Sequence, residues 1–405
     1  MAENTTSKSK RLFTTAGIIF LVLGIALYFL KAPMGLNRKI YDLPIFLIII
    51  GVCFALKGFM SANKPDNELE RVSFSEFLTN NAILLAMLVL VVVICILQPR
   101  FMQIRVALDI LTQSSTKLIM ALGICFTLLI AGTDLSAGRM VGLAAVVSAS
   151  MLQTATYANR FFPDLPQVQL WMPIIIAIVA CMVFGALNGF LVAKYDMHPF
   201  IATLAVQVII YGACSLYFDM PPNNSQPIGG IRPDFAQLGQ MRLFQMGRDF
   251  PGISILIPIA AVICVIIWFI LNKTVFGKNV YAIGGNREAA VVAGISVFKN
   301  IMAIFILASC LYGIAGVLEA ARTAGATNNY GNGYELDAIA ACVVGGVSLN
   351  GGIGKVSGII MGVLIFTIIQ YGLQFINVSP MWQQVIKGVI IAVAVAIDLT
   401  KYRRK

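Results

Sequence analysis

Few side chains in this 405-residue chain can carry chemistry. The one histidine is His198. The eight cysteines (Cys53, Cys95, Cys125, Cys181, Cys214, Cys264, Cys310 and Cys342) all lie inside apolar runs, and none forms a Cys-x-x-Cys pair. That is the pattern of packing residues rather than of metal ligands or disulfides. Gly351-Gly-Ile-Gly-Lys-Val356 imitates a phosphate-binding loop but lacks the upstream glycine, and Val356 stands where Ser or Thr would hold magnesium. The residues therefore predict no catalytic set, no metal and no cofactor. Any nucleotide that drives this protein is hydrolysed by another chain.

What remains is polar chemistry at the margins of oily segments. Asp134 sits at the edge of an apolar run between Gly132 and Gly138, with Ser136 two residues on. An acid near the membrane interior is expensive and faces a cavity or a partner. It lines a translocation route or hinges beside it; the plainer alternative is a helix N-cap made by Asp134 or Ser136. A second cluster, Thr327-Asn-Asn-Tyr-Gly-Asn-Gly-Tyr-Glu-Leu-Asp-Ala-Ile-Ala340, offers Asn328, Asn329, Glu335 and Asp337. Glu335 and Asp337 suit a helix N-terminus, where the macrodipole favours anions. Glu319 and Arg322, three apart, suit an intrahelical ion pair.

The strongest signal is the polar stretch 272–295. Gly277 and Gly284-Gly285 punctuate it, and Arg287-Glu-Ala-Ala-Val-Val-Ala-Gly294 reads as a short helix ending at a glycine. Its surface is small and partly apolar with one charged end, which suits docking in a cleft of a soluble partner.

The elements that must position these residues are set by composition. Hydrophobic residues make up 59% of the chain and charged residues 12%, about half the charge of a soluble domain. The solvent is therefore lipid, and the fold class is all-α and polytopic, with about 10–12 transmembrane helices. Apolar runs lie near 13–30, 43–59, 81–98, 117–131, 137–153, 172–193, 199–217, 252–271, 299–320, 335–348, 355–375 and 380–398. The net charge of +11 reads as anchoring at anionic headgroups; no basic cluster with interleaved aromatics suggests nucleic acid. Lys273, Lys278, Arg287, Lys299 and the basic tail Lys401-Tyr-Arg-Arg-Lys405 belong in the cytoplasm. The connections 99–116 and 218–251, and the 327–340 cluster, then fall outside. Residues 1–77, with two expected spans and a charged linker, form an extension whose plain role is anchoring or packing.

The remainder holds an internal repeat. Gly132-Thr-Asp-Leu-Ser-Ala-Gly138 matches Gly346-Val-Ser-Leu-Asn-Gly-Gly352, about 214 residues later. Gly-interrupted hydrophobic segments in matching halves point at a transport pathway, which adds Ser348 and Asn350 to the candidate lining.

Glu288-Ala-Ala-Val-Val-Ala-Gly294 resembles the Glu-Ala-Ala-x-x-x-Gly loop of ABC-importer permeases. Residues 131–142, 276–286 and 333–352, with Leu111-Thr-Gln-Ser-Ser115, Gly325-Ala-Thr-Asn-Asn329 and Pro380-Met-Trp-Gln-Gln-Val-Ile-Lys-Gly388, are similar to the ribose/galactose group of sugar permeases within that family. The resemblance covers roughly 80–405 and marks 78–405 as the permease domain, with a coupling segment at 272–298. It implies that Arg287, Glu288, Ala289, Ala290 and Gly294 meet a cytoplasmic ABC ATPase. It further implies a periplasmic sugar-binding protein, a second permease copy in a homodimer, and a bacterial cytoplasmic (inner) membrane. The expected cargo is a monosaccharide: galactose, methyl-galactoside or glucose, with ribose, xylose, autoinducer or nucleoside import as alternatives inside the class. An ion-coupled secondary transporter is the reading from another class. It would use Asp134 for the coupling ion and would have no use for a docking helix at 287–294.

Overall fold

The structure is a computed structural model that describes Val22, residues 91–245 and residues 251–403, with the backbone alone at 394 and 397–403. The expected spans near 13–30 and 43–59, and the extension 1–77, lie outside the described residues, Val22 apart.

Twelve helices follow residues 91–97, which are themselves helical, and a single 3-10 turn at Pro99–Met102. They are α1 (Ile104–Leu129), α2 (Ala137–Met151), α3 (Trp171–Tyr195), α4 (Pro199–Asp219), α5 (Pro233–Gln240), α6 (Leu256–Lys273), α7 (Val275–Gly285), α8 (Arg287–Val292), α9 (Val297–Thr323), α10 (Tyr334–Val344), α11 (Val356–Phe375) and α12 (Pro380–Arg403). Proline opens α4, α5 and α12, at the position where its missing N–H leaves no hydrogen bond unmade. The only two-stranded pairing among the described residues joins β1 (Arg242–Leu243) to β2 (Ile253–Ser254), antiparallel. Among the described residues six helices, α1, α3, α4, α6, α9 and α11, are long and apolar enough to cross a membrane.

The described residues form two compact units, 91–110 with 367–384, and the described part of 111–366 with 385–403. In the first, Phe101 packs edge-on against Phe375, and Val91, Ile94, Val106 and Ile110 close a core with Ile368 and Tyr371. In the second, α9 runs through the middle, packed on α2 and α3. Gly185 and Gly189, four apart on α3, let its backbone approach Ser309, Phe305 and Met302 of α9. Small residues at this spacing are how membrane helices gain contact when lipid is as apolar as leucine. The outer faces stay apolar: Ile175, Val179 and Val183 on α3 are exposed, each four residues from the next. In water such a stripe would be a liability; in lipid it is the solvated face.

The second unit has two distinguishable ends. At one, residues 130–136, 196–203, 274–296 and 345–355 meet. Arg287 pairs with Asp196, Leu135 N–H donates to Thr203 (3.1 Å), and Tyr281 donates to the Gly354 carbonyl (2.8 Å). At the other, the connection after α4 folds over the ends of α2 and α9, with bridges Gln153↔Ile231 and Ile228↔Ala326. There Gln153 donates to the Gly229 carbonyl (2.7 Å), and Arg232 reaches both Asp234 and the Val168 carbonyl. The basic loop 272–300, expected in the cytoplasm, lies at the first end.

One expectation changes. Residues 99–116 read as an outside connection, yet α1 begins at Ile104. The polar residues that broke the hydropathy signal are satisfied inside the helix bundle: Ser114 and Ser115 bond back to the Leu111 carbonyl, and Thr116 donates to Glu319. Hydropathy counts a serine as polar whether or not the helix itself supplies its partner.

Candidate functional site

The 272–295 segment folds as two short helices at the first end of the second unit. Thr274 caps α7 by accepting from the Gly277 N–H (3.2 Å), and Asn286 caps α8 by accepting from the Ala289 N–H (2.9 Å). Helix α8 closes at Gly294, whose φ of 81° favours glycine. Ile295 N–H returns to the Ala290 carbonyl and Gly294 N–H to Val291, the two bonds of a Schellman ending. Ala290 alone of the helix turns inward. Arg287, Glu288, Ala289, Val291, Val292 and Gly294 are exposed, with Val292 at 89%. A capped, rigid six-residue helix that presents valines and a glutamate to water has the surface of a docking element.

Helix α7 is the arm that carries α8. A Cβ on Gly284 would collide with the Leu129 carbonyl and crowd the Gly352 nitrogen, so backbone lies on backbone there. Phe276 packs against Phe126 of α1. Burial pushes the Tyr281 hydroxyl up to about 12, so it remains a donor to Gly354 through the physiological range. The arm thus touches the end of α1, just before the first repeat copy, and the end of the second copy, just before α11. These two stretches also touch each other, since Gly352 N–H donates to Leu129 (2.8 Å).

The copies also fold alike. Asp134 accepts from the N–H two residues on, at Ser136 (3.0 Å); Ser348, its counterpart 214 residues later, accepts from Asn350 N–H (3.2 Å). The preceding helices end in the same Schellman pair, Gly132→Thr127 with Ala131→Leu128, and Val347→Cys342 with Gly346→Val343. The helix endings match with an offset one residue longer than the turns.

Asp134 and Ser136 are fully buried. Neither caps α2; Asp134 Oδ1 takes the Ser136 hydroxyl (2.6 Å), and Asn188 of α3 donates to the same hydroxyl (2.8 Å). Asp134 Oδ2 and the hydroxyl of Tyr312 on α9 are both buried and meet no hydrogen-bond partner. The second cluster divides. Asn328 lies beside Ser215 of α4 and Asn329 is exposed, while Glu335 and Asp337 stand in the first turn of α10. Glu335 is buried against Gly138 of α2, and Asp337 pairs with Lys387 of α12 (2.9 Å).

Glu319 and Arg322 do pair, at 2.6 Å, and Glu319 also accepts from Thr116 of α1. Lys117 is drawn into the same electrostatic group as Asp337, Lys387, Glu319 and Arg322, a grouping that joins α1, α9, α10 and α12. Sequence reading missed Lys117 and Lys387, because a lone lysine in an apolar run gives no clue to its partner. Glu319→Gln leaves Arg322 half-buried without its counter-charge and is expected to destabilise the protein by about 3 kcal/mol. Thermal unfolding in detergent measures this; a melting temperature equal to that of the wild type would show the pair to be idle.

Comparison with known proteins identifies the family. Residues 106–395 match the family described as "Branched-chain amino acid transport system / permease component". The galactose/methyl galactoside import permease of Haemophilus influenzae is 48% identical over 339 residues, 83% of this chain and 99% of that one. Its Escherichia coli counterpart is 45% identical over the same shares. The ribose import permease of Bacillus subtilis is 34% identical over 342 residues, 84% of this chain and 99% of that one. No solved structure matches.

Proposed function

This chain belongs to the permease-component family of branched-chain amino acid transport systems, and from that premise we propose that it imports galactose or methyl galactoside. It is the membrane-spanning subunit of an ATP-driven sugar importer and not itself an enzyme; the ATPase is a separate chain. It resides in the inner membrane as a multi-pass protein. The observation that carries the sugar class is the 48% identity to a galactose/methyl galactoside import permease along 99% of that protein, against 34% for a ribose permease.

The proposed cycle uses the parts described above. The ATPase grips α8 through Glu288, Val291 and Val292. Closure of the ATPase moves α7, and α7 bears on Leu129, just before the first repeat copy, and on Gly352, the last residue of the second. Two bistable breaks driven from one arm can switch the pathway between outward and inward access, because the ATPase binds the two states with different affinity. The route runs along Asn328, Asn329 and Glu335. Asp134, Ser136, Asp337, Ser348 and Asn350 hold the breaks and helix starts beside it. The resemblance supports two copies of the chain per importer and a periplasmic binding protein that selects the sugar. An ion-coupled mechanism is not favoured, since the family and the relatives are permease components of importers.

Reconstitution with the ATPase and the binding protein tests the proposal. Galactose is expected to stimulate ATP hydrolysis and uptake, and uptake is expected to persist when proton and sodium gradients are collapsed. Uptake that follows an ion gradient without ATP, or stimulation by ribose alone, would overturn it.

A further inference from the structure

A charged cluster on the outer side of the repeat has no partner for two of its strongest groups. Arg139 lies in the first turn of α2. Its guanidinium sits over the Tyr211 ring of α4, 4.3 Å from the centroid, and its Nη2 donates to Asn332 (2.9 Å). Nη1 is covered and meets no acceptor. Next to it in sequence is Gly138, and a side chain there would collide with the carboxylate of Glu335. Glu335 is 6% exposed, and its Oε2 likewise meets no donor. Arg139 and Glu335 feel each other's charge, yet no ion pair joins them.

Helix α10 runs 11 residues, about 16 Å, so Glu335 stands about one α10 length from the end that holds Gly345–Gly352. A covered guanidinium and a covered carboxylate, each with an unmade hydrogen bond, are costly unless something else completes them. The edge of the cluster is open, since Asn332 is exposed and Tyr211 is 46% exposed.

From these observations we propose that Arg139, Tyr211, Asn332 and Glu335 form the station at which the sugar is held in transit, Arg139 donating to and Glu335 accepting from its hydroxyls. The inference rests on the sugar-import reading and deepens it. One positive and one negative group leave the site neutral, which suits an uncharged polyol and disfavours an ion of either sign. A pyranose offers donors and acceptors on adjacent carbons, which match one free N–H arm and one free carboxylate oxygen. Its apolar C–H face can lie on the ring of Tyr211, as small polar ligands use one aromatic wall and a few placed polar groups. In the conformation described, Nη1 and Oε2 are covered, so the station is closed. Outward opening that parts Gly138 from Glu335 uncovers both. The passenger then supplies the missing bonds, and the closed empty state forgoes them. Contacts this few hold a sugar briefly, as conduction requires.

The test compares hydroxyls one at a time. The permease is reconstituted with its ATPase and binding protein, and uptake of galactose and of each monodeoxy galactose is measured for the wild type, Arg139→Lys and Glu335→Gln. The binding protein is the same throughout, so its own preference cancels in each variant-to-wild-type ratio. Arg139→Lys loses the planar fork and the stacking on Tyr211. Galactose uptake is expected to fall about tenfold or more, the size of a lost charged hydrogen bond. The analogue lacking the hydroxyl that Arg139 holds is expected to fall by less than about twofold, because it has nothing left to lose. Glu335→Gln should spare a different analogue. If every sugar falls by the same factor, or none falls, the station is not there. If Arg139→Lys fails to insert, Glu335→Gln by itself supplies the same comparison with its own spared analogue, and equal losses for all sugars refute the proposal in the same way. A wild type that takes up no hexose with ATP fails the import reading itself, and this inference falls with it.

Discussion

Glu288→Lys is expected to lower ATP-driven sugar uptake by on the order of a hundredfold while the permease still inserts and folds. Glu288 is exposed in the first turn of α8, beside Arg287, which is already engaged by Asp196. Nothing in the chain's own packing depends on its carboxylate. The fold therefore tolerates lysine there, apart from the loss of a favourable anion at a helix N-terminus, worth about 0.5 kcal/mol. A partner that meets the helix through a charge of complementary sign does not tolerate it. Reversing a charge across such an interface costs several kcal/mol, enough for the stated loss. Two measurements separate the possibilities: uptake in vesicles, and co-purification of the ATPase with the variant. Loss of both with normal membrane levels is the expected pair. Uptake at the wild-type rate would remove α8 from the coupling mechanism.

Gly284→Val is expected to abolish uptake by a different route. The backbone of α7 lies on the Leu129 carbonyl, and a side chain at 284 meets backbone atoms that cannot rotate away. Either α7 lifts off by an ångström or more, or the Leu129–Gly352 contact opens. Both outcomes detach the arm from the two breaks, and misplacement by about 1 Å is enough for losses of a hundredfold or more in positioned machinery. The exposed surface of α8 is untouched, so the ATPase is expected to remain bound and to hydrolyse ATP without sugar-dependent stimulation. Gly285→Val is the control, because a Cβ at 285 meets nothing within 4 Å. Equal behaviour of the two variants would show that the contact with Leu129 transmits nothing.

These expectations draw on features of different legibility. The two helices of 272–295, their caps at Thr274 and Asn286, and the end at Gly294 follow from local chemistry, and so they could be read along the chain. The repeat was legible for the same reason: Asp134 and Ser348 each accept from the N–H two residues on, a bond that involves no other part of the molecule. The start of α1 was not legible. Its polar residues find partners in their own turn or on α9, and a hydropathy window sees only that they are polar. Arg139 was passed over within the very motif that was singled out, because its meaning lies with Tyr211 and Glu335, which belong to other helices.

The sequence by itself determined the solvent, the helical class and the chemistry of the helix ends around α8. Composition and bonds between near neighbours suffice for all of these. Only the tertiary structure decided which polar groups share a site. It set Gly284 on Leu129 and Gly352, Asn188 on Ser136, Lys387 on Asp337, and the Glu335 carboxylate against Gly138. The reason is physical: a buried charge or hydroxyl must be satisfied, but the chain that satisfies it can lie 50 or more residues away, and no local pattern records that distance.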